Sequence, residues 1–253
     1  MMQTIQRIRR RSASSLVHRD LVRCLKSGAF PNQMLPSEDD ISTMFGVSRT
    51  TVRDALANLE NSGYISRVQG RGTMINQTIC SLTGRVSEGQ PFTSLIQSQN
   101  MTPSVQNSKA EKRPITDHIR AALHTDAAEM YRIEKLFLGN DMPIILSVNY
   151  FSTDFLTDEL LDCPMDDTPL LQLLQSRFSF PDVAYDVVNI RPIQADAHLA
   201  QKLRLPEHTP MLMFESISMD ANEQPLLVKH EFYHPDKIQF CEVRSTDYRG
   251  ALS

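Results

Sequence analysis

The chain has 253 residues, 41% of them hydrophobic and 22% charged, with a formal net charge of -4. It is long enough to bury one or two cores and has no low-complexity tract, which excludes a disordered or fibrous protein. Residues 1–75 hold 11 Lys+Arg against 6 Asp+Glu, a net +5, and residues 76–253 hold 15 against 24, a net -9; contact with a polyanion therefore suits only the N-terminal part.

The opening residues, MMQTIQRIRRRS, are basic but lack an apolar stretch, so a secretory signal is not expected. No apolar run reaches the roughly 18 residues of a membrane span. Cys24, Cys80, Cys163 and Cys241 show no metal-ligand spacing and read as reduced thiols, which together points to a cytoplasmic protein. A first helix is predicted over Ser14–Ser27, with Leu16, Val17, Leu21 and Leu25 as its apolar stripe and Gly28 just past its end. Ser37 is a good N-cap for a second helix, with Asp40 three residues on and acids at 38–40 at the positive helix end. That helix runs to Phe45 and is expected to bury Ile41, Met44 and Phe45. Gly46 supplies a turn, Ser48 caps a third helix to about Ser62, and Val52, Leu56 and Leu59 mark its inner face. Tyr64–Val68 and Thr73–Ile75 then read as a two-stranded wing around Gln69-Gly70-Arg71-Gly72.

With Val52, Leu56 and Leu59 inside, Arg49, Thr50 and Arg53 face outward near the start of the third helix, with Thr51 at its flank. A helix start offers free N–H groups to phosphate, an arginine can pair with a guanine edge, and the wing-tip glycines let backbone and Arg71 approach a minor groove. Helix, turn, helix and wing in this order form a winged helix-turn-helix. Residues 15–76 resemble the GntR family of bacterial transcription factors, through Leu35-Pro36-Ser37-Glu38, Gly46-Val47-Ser48-Arg49-Thr50-Thr51-Val52-Arg53, Leu56, Leu59, Gly63 and Gln69-Gly70-Arg71-Gly72-Thr73. The resemblance implies an operator face made of Ser37, Ser48, Arg49, Thr50, Thr51, Arg53, Gln69, Gly70, Arg71 and Gly72. One position departs: many members have Arg after the Pro-Ser-Glu, and this chain has Asp39, an acid expected to repel phosphate.

Residues 77–90 are polar and are read as a linker. The body beyond, 91–246, carries a weak internal repeat, and 247–253 form a tail. A short helix at Ile119–Leu123 precedes extended Met130–Phe137, a turn at Gly139-Asn140-Asp141 and a return strand from Pro143 to Phe151. About eighty residues later His198–Leu203, Met211–Met219, Asp220-Ala221-Asn222 and Pro225–Tyr233 repeat the order, with Glu215 answering Glu134. Two hairpins in one antiparallel sheet with helices on one face would make an α+β domain, and Pro169–Phe178 reads as a buried helix between them. This half resembles the UTRA effector-binding domain of the HutC branch, through Pro91-Phe92-Thr93, Arg132-Ile133-Glu134-Lys135, Pro143–Tyr150 and Pro225–Tyr233. The resemblance implies a chorismate-lyase-like fold acting as a sensor, a homodimer, and an effector site at Phe92, Thr93, Ser94, Lys135, Phe137, Asn149, Phe151, Leu227, Glu231 and Tyr233. Positions 227, 229, 231 and 233 share one strand face. Phe137 stands where Arg is common and Leu227 where an acid reads a sugar, so a small, less charged anion is expected rather than an amino-sugar phosphate.

No catalytic pattern, cofactor motif or metal set is expected. His118, His124, His198, His208, His230 and His234 have no nucleophile spacing, and His230 and His234, four apart on a predicted strand, do not form a helical metal pair. The expected function is an effector-responsive regulator, a repressor rather than an activator, binding a pseudo-palindromic DNA operator as a dimer. An enzyme acting on a small acid with an autoregulatory head, and a constitutive DNA binder, are the alternatives.

Overall fold

The computed structural model describes residues 13–30, 32–68, 70–107, 109–165 and 168–244. The chain divides into two compact units, residues 1–88 with 240–253, and residues 89–239.

The first unit contains α1 (Ala13–Lys26), α2 (Glu38–Phe45), α3 (Arg49–Asn61), a hairpin of β1 (Ile65–Val68) and β2 (Gly72–Ile75), and a short α4 (Gln77–Cys80). Ser37 caps α2 in a full capping box with Asp40, and Gly46 ends it in the left-handed region at φ 62°. Ser48 caps α3, accepting from the Thr51 backbone N–H at 3.2 Å. Val17, Leu21 and Leu25 of α1 meet Ile41, Val52, Ala55, Leu56, Leu59, Tyr64, Ile65 and Ile75 in one core.

Two side chains expected in that core lie outside it. Leu16 is 40% exposed because the inner line of α1 runs through Val17, Leu21 and Leu25 at steps of four, leaving Leu16 on its shoulder. Met44 is 65% exposed because Ile41 and Phe45 already fill the inner line of an eight-residue helix. Residues 77–88, expected as linker, also belong to this unit. Cys80 packs into its core, and a 3-10 turn at Val86–Glu88 brings Arg85 into a parallel bridge with Cys241. Buried Arg85 pairs with Glu88 at 3.0 Å, donates to the Ser62 carbonyl at 2.9 Å and lies over the Tyr64 ring. Lys26 meets the other Glu88 oxygen at 2.8 Å, and the Tyr64 hydroxyl donates to Glu88 as well. Burial and the Glu88 carboxylate push the Tyr64 pKa upward.

The second unit holds α5 (Phe92–Gln97), β3 (Pro103–Asn107), β4 (Glu111–Pro114), α6 (Asp117–Leu123), β5 (Glu129–Gly139), β6 (Met142–Ser152), α7 (Glu159–Asp162), α8 (Leu170–Phe178), β7 (Tyr185–Gln194), α9 (Ala197–Leu203), β8 (Pro210–Met219) and β9 (Pro225–Tyr233). Its antiparallel sheet runs β3-β5-β6-β9-β8-β7, with β4 also along β5. The two predicted hairpins, β5–β6 and β8–β9, are its centre and meet through β6 and β9. Asn140 and Asp141, at φ 49° and 62°, close the first hairpin. β3, β4 and β7 extend the sheet beyond the four strands read from the sequence.

Helices cover both faces, not one. Tyr131, Ile133, Phe151 and Leu227 pack against Leu160 of α7 and Leu173 and Leu174 of α8. The alternate residues Leu146, Val148 and Phe232 pack against Leu199 and Leu203 of α9, and Met130 and Val228 against Ile119 and Leu123 of α6. Two-sided burial follows from composition: Pro143–Asn149 of β6 is buried without interruption, as suits a strand covered above and below.

Candidate functional site

Two surfaces carry the predicted site residues, one in each unit. The first is the outer side of α3. Arg49 and Arg53, four apart on the helix, have side chains 68% and 66% exposed. Thr50 is exposed, and Thr51, half-buried, shares a 2.9 Å hydroxyl contact with Ser48. Both arginines are paired with the first turn of α2: Arg49 Nε lies 2.6 Å from Asp39 Oδ1, and Arg53 Nε donates to Glu38 Oε2 at 2.7 Å. The Glu38 carboxylate raises the Arg53 pKa above its ordinary value. Asp39 is therefore not a bare acid on the face, as the sequence suggested, but the partner of the leading arginine. Ser37 is spent on the capping box, with its hydroxyl 2.6 Å from Asp40 Oδ2.

The wing adds Arg71, exposed between Gly70 (φ 79°) and Gly72 (φ 88°). Gly70 has nothing near the position a Cβ would take, so its need for glycine is conformational, and its open backbone is free for close approach. Gln69 lies outside the described residues.

The second surface is a sheet face in the second unit. Register aligns Lys135 with Ser147, Ile133 with Asn149, Ser147 with Glu231 and Ile145 with Tyr233, so these side chains point to one side. Lys135, Ser147, Asn149, Glu231 and Tyr233 are all buried there. Lys135 Nζ donates to the Thr168 carbonyl at 3.1 Å, Asn149 Nδ2 to Ser147 Oγ at 3.2 Å, and the Tyr233 hydroxyl to Glu231 at 2.8 Å. Burial raises the Glu231 pKa, opposed by Lys229, and burial with the adjacent Glu231 raises that of Tyr233. Phe92 of α5 stands over this floor, 4.8 Å from the Phe137 ring centroid and 6.2 Å from that of Tyr233.

Lys135, Phe137, Asn149, Glu231, Tyr233 and Phe92 are thus brought together. Thr93 and Ser94 lie in the first turn of α5, half-buried and exposed. Phe151 and Leu227 share the row but sit in its apolar part, fully enclosed with Tyr131, Leu174 and Phe180. Sequence reading missed Ser147, Ser216 and the Lys229–Asp186 pair at 2.8 Å, which line the same row. The i, i+2 spacing of 227, 229, 231 and 233 already held Lys229, but Asp186 arrives on β7, which gave no recognised strand signal.

The opposite sheet face carries the two glutamates of the repeat, and they are partnered crosswise. Glu134 of β5 receives His198 from α9 at 3.1 Å and Lys202 at 2.9 Å, with Arg132 beside it. Burial works to raise the Glu134 pKa, but Lys202 and Arg132 outweigh it and hold the carboxyl at about 2. Glu215 of β8 receives His118 from α6. Each repeat's helix therefore covers the other repeat's hairpin.

Comparison with known proteins agrees with this two-part organisation. Residues 98–239 match the UTRA domain, and residues 14–75 match bacterial regulatory proteins of the gntR family. The HTH-type transcriptional repressor NagR of Bacillus subtilis is 26% identical over 220 residues, covering 85% of this chain and 88% of that protein. A probable fructoselysine utilization operon transcriptional repressor of Shigella flexneri is 24% identical over 214 residues, covering 81% and 83%. In fold, the chain is similar to the possible transcriptional regulator YydK of Bacillus subtilis (TM-score 0.65, 16% identity, 92% of this chain and 100% of that one). It is also similar to PhnF of Mycobacterium smegmatis (TM-score 0.56, 20% identity, 91% and 100%).

Proposed function

The chain belongs to the gntR family of bacterial regulatory proteins, in the group whose second domain is a UTRA domain, and from that premise we propose that it is a dimeric, cytoplasmic repressor released from its operator by a small anionic metabolite. That it is a DNA-binding transcription regulator, and not an enzyme, follows from the family and its relatives. The observation that carries the reading is the outward pair Arg49 and Arg53 on a capped α3 beside a glycine-tipped wing. That surface suits α3 in a major groove, with Ser48, Thr50 and Thr51 toward the backbone and bases, and Gly70, Arg71 and Gly72 at the adjacent minor groove.

The effector reading rests on the buried floor. Lys135 supplies a cation, and Asn149, Ser147 and Tyr233 supply hydrogen-bonding groups, under the Phe92–Phe137 edge contact. Such a set suits a small carboxylate or phosphate with few further polar groups. Thr93, Ser94, Phe151 and Leu227 belong to the margins of this site. No helix among the described residues is long and apolar enough to cross a membrane.

Dimerisation is supported by β7, at the end of the sheet. Tyr185, Val187, Val188 and Ile190 on it are exposed, and among the described residues no strand pairs with its outer edge. A ten-residue edge strand left open, with four exposed apolar side chains, invites pairing with another chain, and a twofold pair of heads suits a palindromic operator.

The test is selection of bound duplexes from a random pool, followed by a thermal-shift screen of small organic and phosphorylated acids. A native-state ligand raises the melting temperature. The reading holds if selected sites are inverted repeats and a stabilising acid weakens their binding in the parent but not in Lys135→Ala. It fails if single half-sites are selected, or if a stabilising acid leaves DNA affinity unchanged.

A further inference from the structure

Glu134 and Glu215 occupy matching places in the two repeats, and their surroundings differ in one chemically important way. Glu134 is neutralised by fixed cations, Lys202 and Arg132, besides His198. Around Glu215 the second helix residue is alanine (Ala122 in place of Lys202), and a second imidazole, His230 of β9, has entered. His118 Nε2 lies 2.5 Å and His230 Nε2 2.9 Å from the same carboxylate oxygen, Glu215 Oε2. The three donor atoms all lie within 4.8 Å of one another, and this is a two-imidazole, one-carboxylate set.

The geometry points to a divalent transition-metal site formed by His118, Glu215 and His230, of the class that takes zinc. Donors held tetrahedrally at about 2.0 Å from zinc are about 3.3 Å apart, so an ion seats when Oε2 and the imidazoles part by less than about 1 Å and the two imidazole nitrogens, within 4.8 Å of one another, draw together to the same spacing. His118, half-exposed on the second residue of α6, has room to make that shift, while His230 and Glu215 are anchored in the sheet. Arg191 approaches the other carboxylate oxygen, Oε1, at 3.3 Å. It orients the carboxylate for single-oxygen ligation and leaves Oε2 to the imidazoles, at the cost of some affinity for a cation. The Tyr150 ring, 5.1 Å from that of His230, walls the inner side, and the exposed flank of His118 leaves the remaining position to water or a small ligand. Nitrogen and oxygen donors without thiolate suit zinc, nickel or cobalt over magnesium or calcium. The ion would join α6 of one repeat to the hairpin of the other.

The test uses the full, untagged chain stripped with a chelator and titrated with zinc chloride by calorimetry and thermal melting. Expected are one ion per chain, a melting temperature raised by zinc and restored by chelator, and at least tenfold weaker binding in His118→Gln and in His230→Gln. His198→Gln, the matching helix histidine at Glu134, should bind zinc like the parent. Cobalt should give a d–d spectrum without a thiolate charge-transfer band. Absence of saturable one-to-one binding, binding unchanged in His118→Gln, or a thiolate band from the free cysteines would overturn the assignment. His118 is at the surface, so its variant reads the site without endangering the fold.

Discussion

Arg49 Nε lies 2.6 Å from Asp39 Oδ1, so the leading basic side chain of α3 meets solvent already paired across the helix turn. Arg53 is held by Glu38 in the same way, and two acids of one helix start thus clasp two arginines of the next. Both guanidinium groups are well exposed, so each pair is weak enough to be exchanged for phosphate or a base edge. Asp39 consequently tunes DNA binding. In Asp39→Asn the guanidinium is released, and affinity for random duplex should rise, with a salt slope steeper by about 0.9. Fluorescence anisotropy across a salt series reads both, and an unchanged slope would mean that Arg49 meets DNA still paired.

Arg71 should act through the backbone alone. Arg71→Ala is expected to weaken selected and random duplexes alike and lower the salt slope by about 0.9. A loss confined to one base position of the selected site would instead make Arg71 a base reader.

The head was legible because its signals are local. Ser37, Gly46 and Ser48 each act within four residues, and the caps appear where those residues stand. The exceptions, Leu16 and Met44, are apolar side chains whose burial depends on neighbours and not on spacing alone. In the body the two hairpins carried turn signals and were legible. β7 was not: it holds Pro192 and exposes Val187 and Val188 together, so it shows no alternation, as an edge strand allows. The cover on both sheet faces escaped notice because one row of β6 mixes Ile145 and Phe151 with Ser147 and Asn149, a mixture that local spacing does not separate from a solvent-facing row. His118 and Glu215 stand 97 residues apart, and their meeting depends on one repeat's helix crossing to the other's hairpin.

Residues 77–88 should prove part of the head in energetic terms. Glu88→Ala leaves the buried Arg85 without its carboxylate, a loss of about 3–5 kcal/mol. Hydrogen exchange of the α3 amides from Val52 to Leu59 should accelerate accordingly. Unchanged protection there would show that the segment is a detachable linker.

Glu134 sets an acid limit on the second unit. Its folded pKa of about 2 lies below the ordinary 4.5, so the stability it gives is complete above about 4.5 and is lost as pH falls toward 2. The melting temperature should decline through that window. Glu134→Gln should melt lower at neutral pH, since Lys202 and Arg132 lose their partner, and should show a shallower acid decline. An identical acid profile in the variant would remove Glu134 from this role.

The most direct measurement of the central claim is the affinity of Arg49→Ala for a selected duplex and for random duplex at one salt concentration. If α3 reads bases, the selected site loses about 1–3 kcal/mol while random binding changes far less. Equal loss on both duplexes would contradict base reading by this helix.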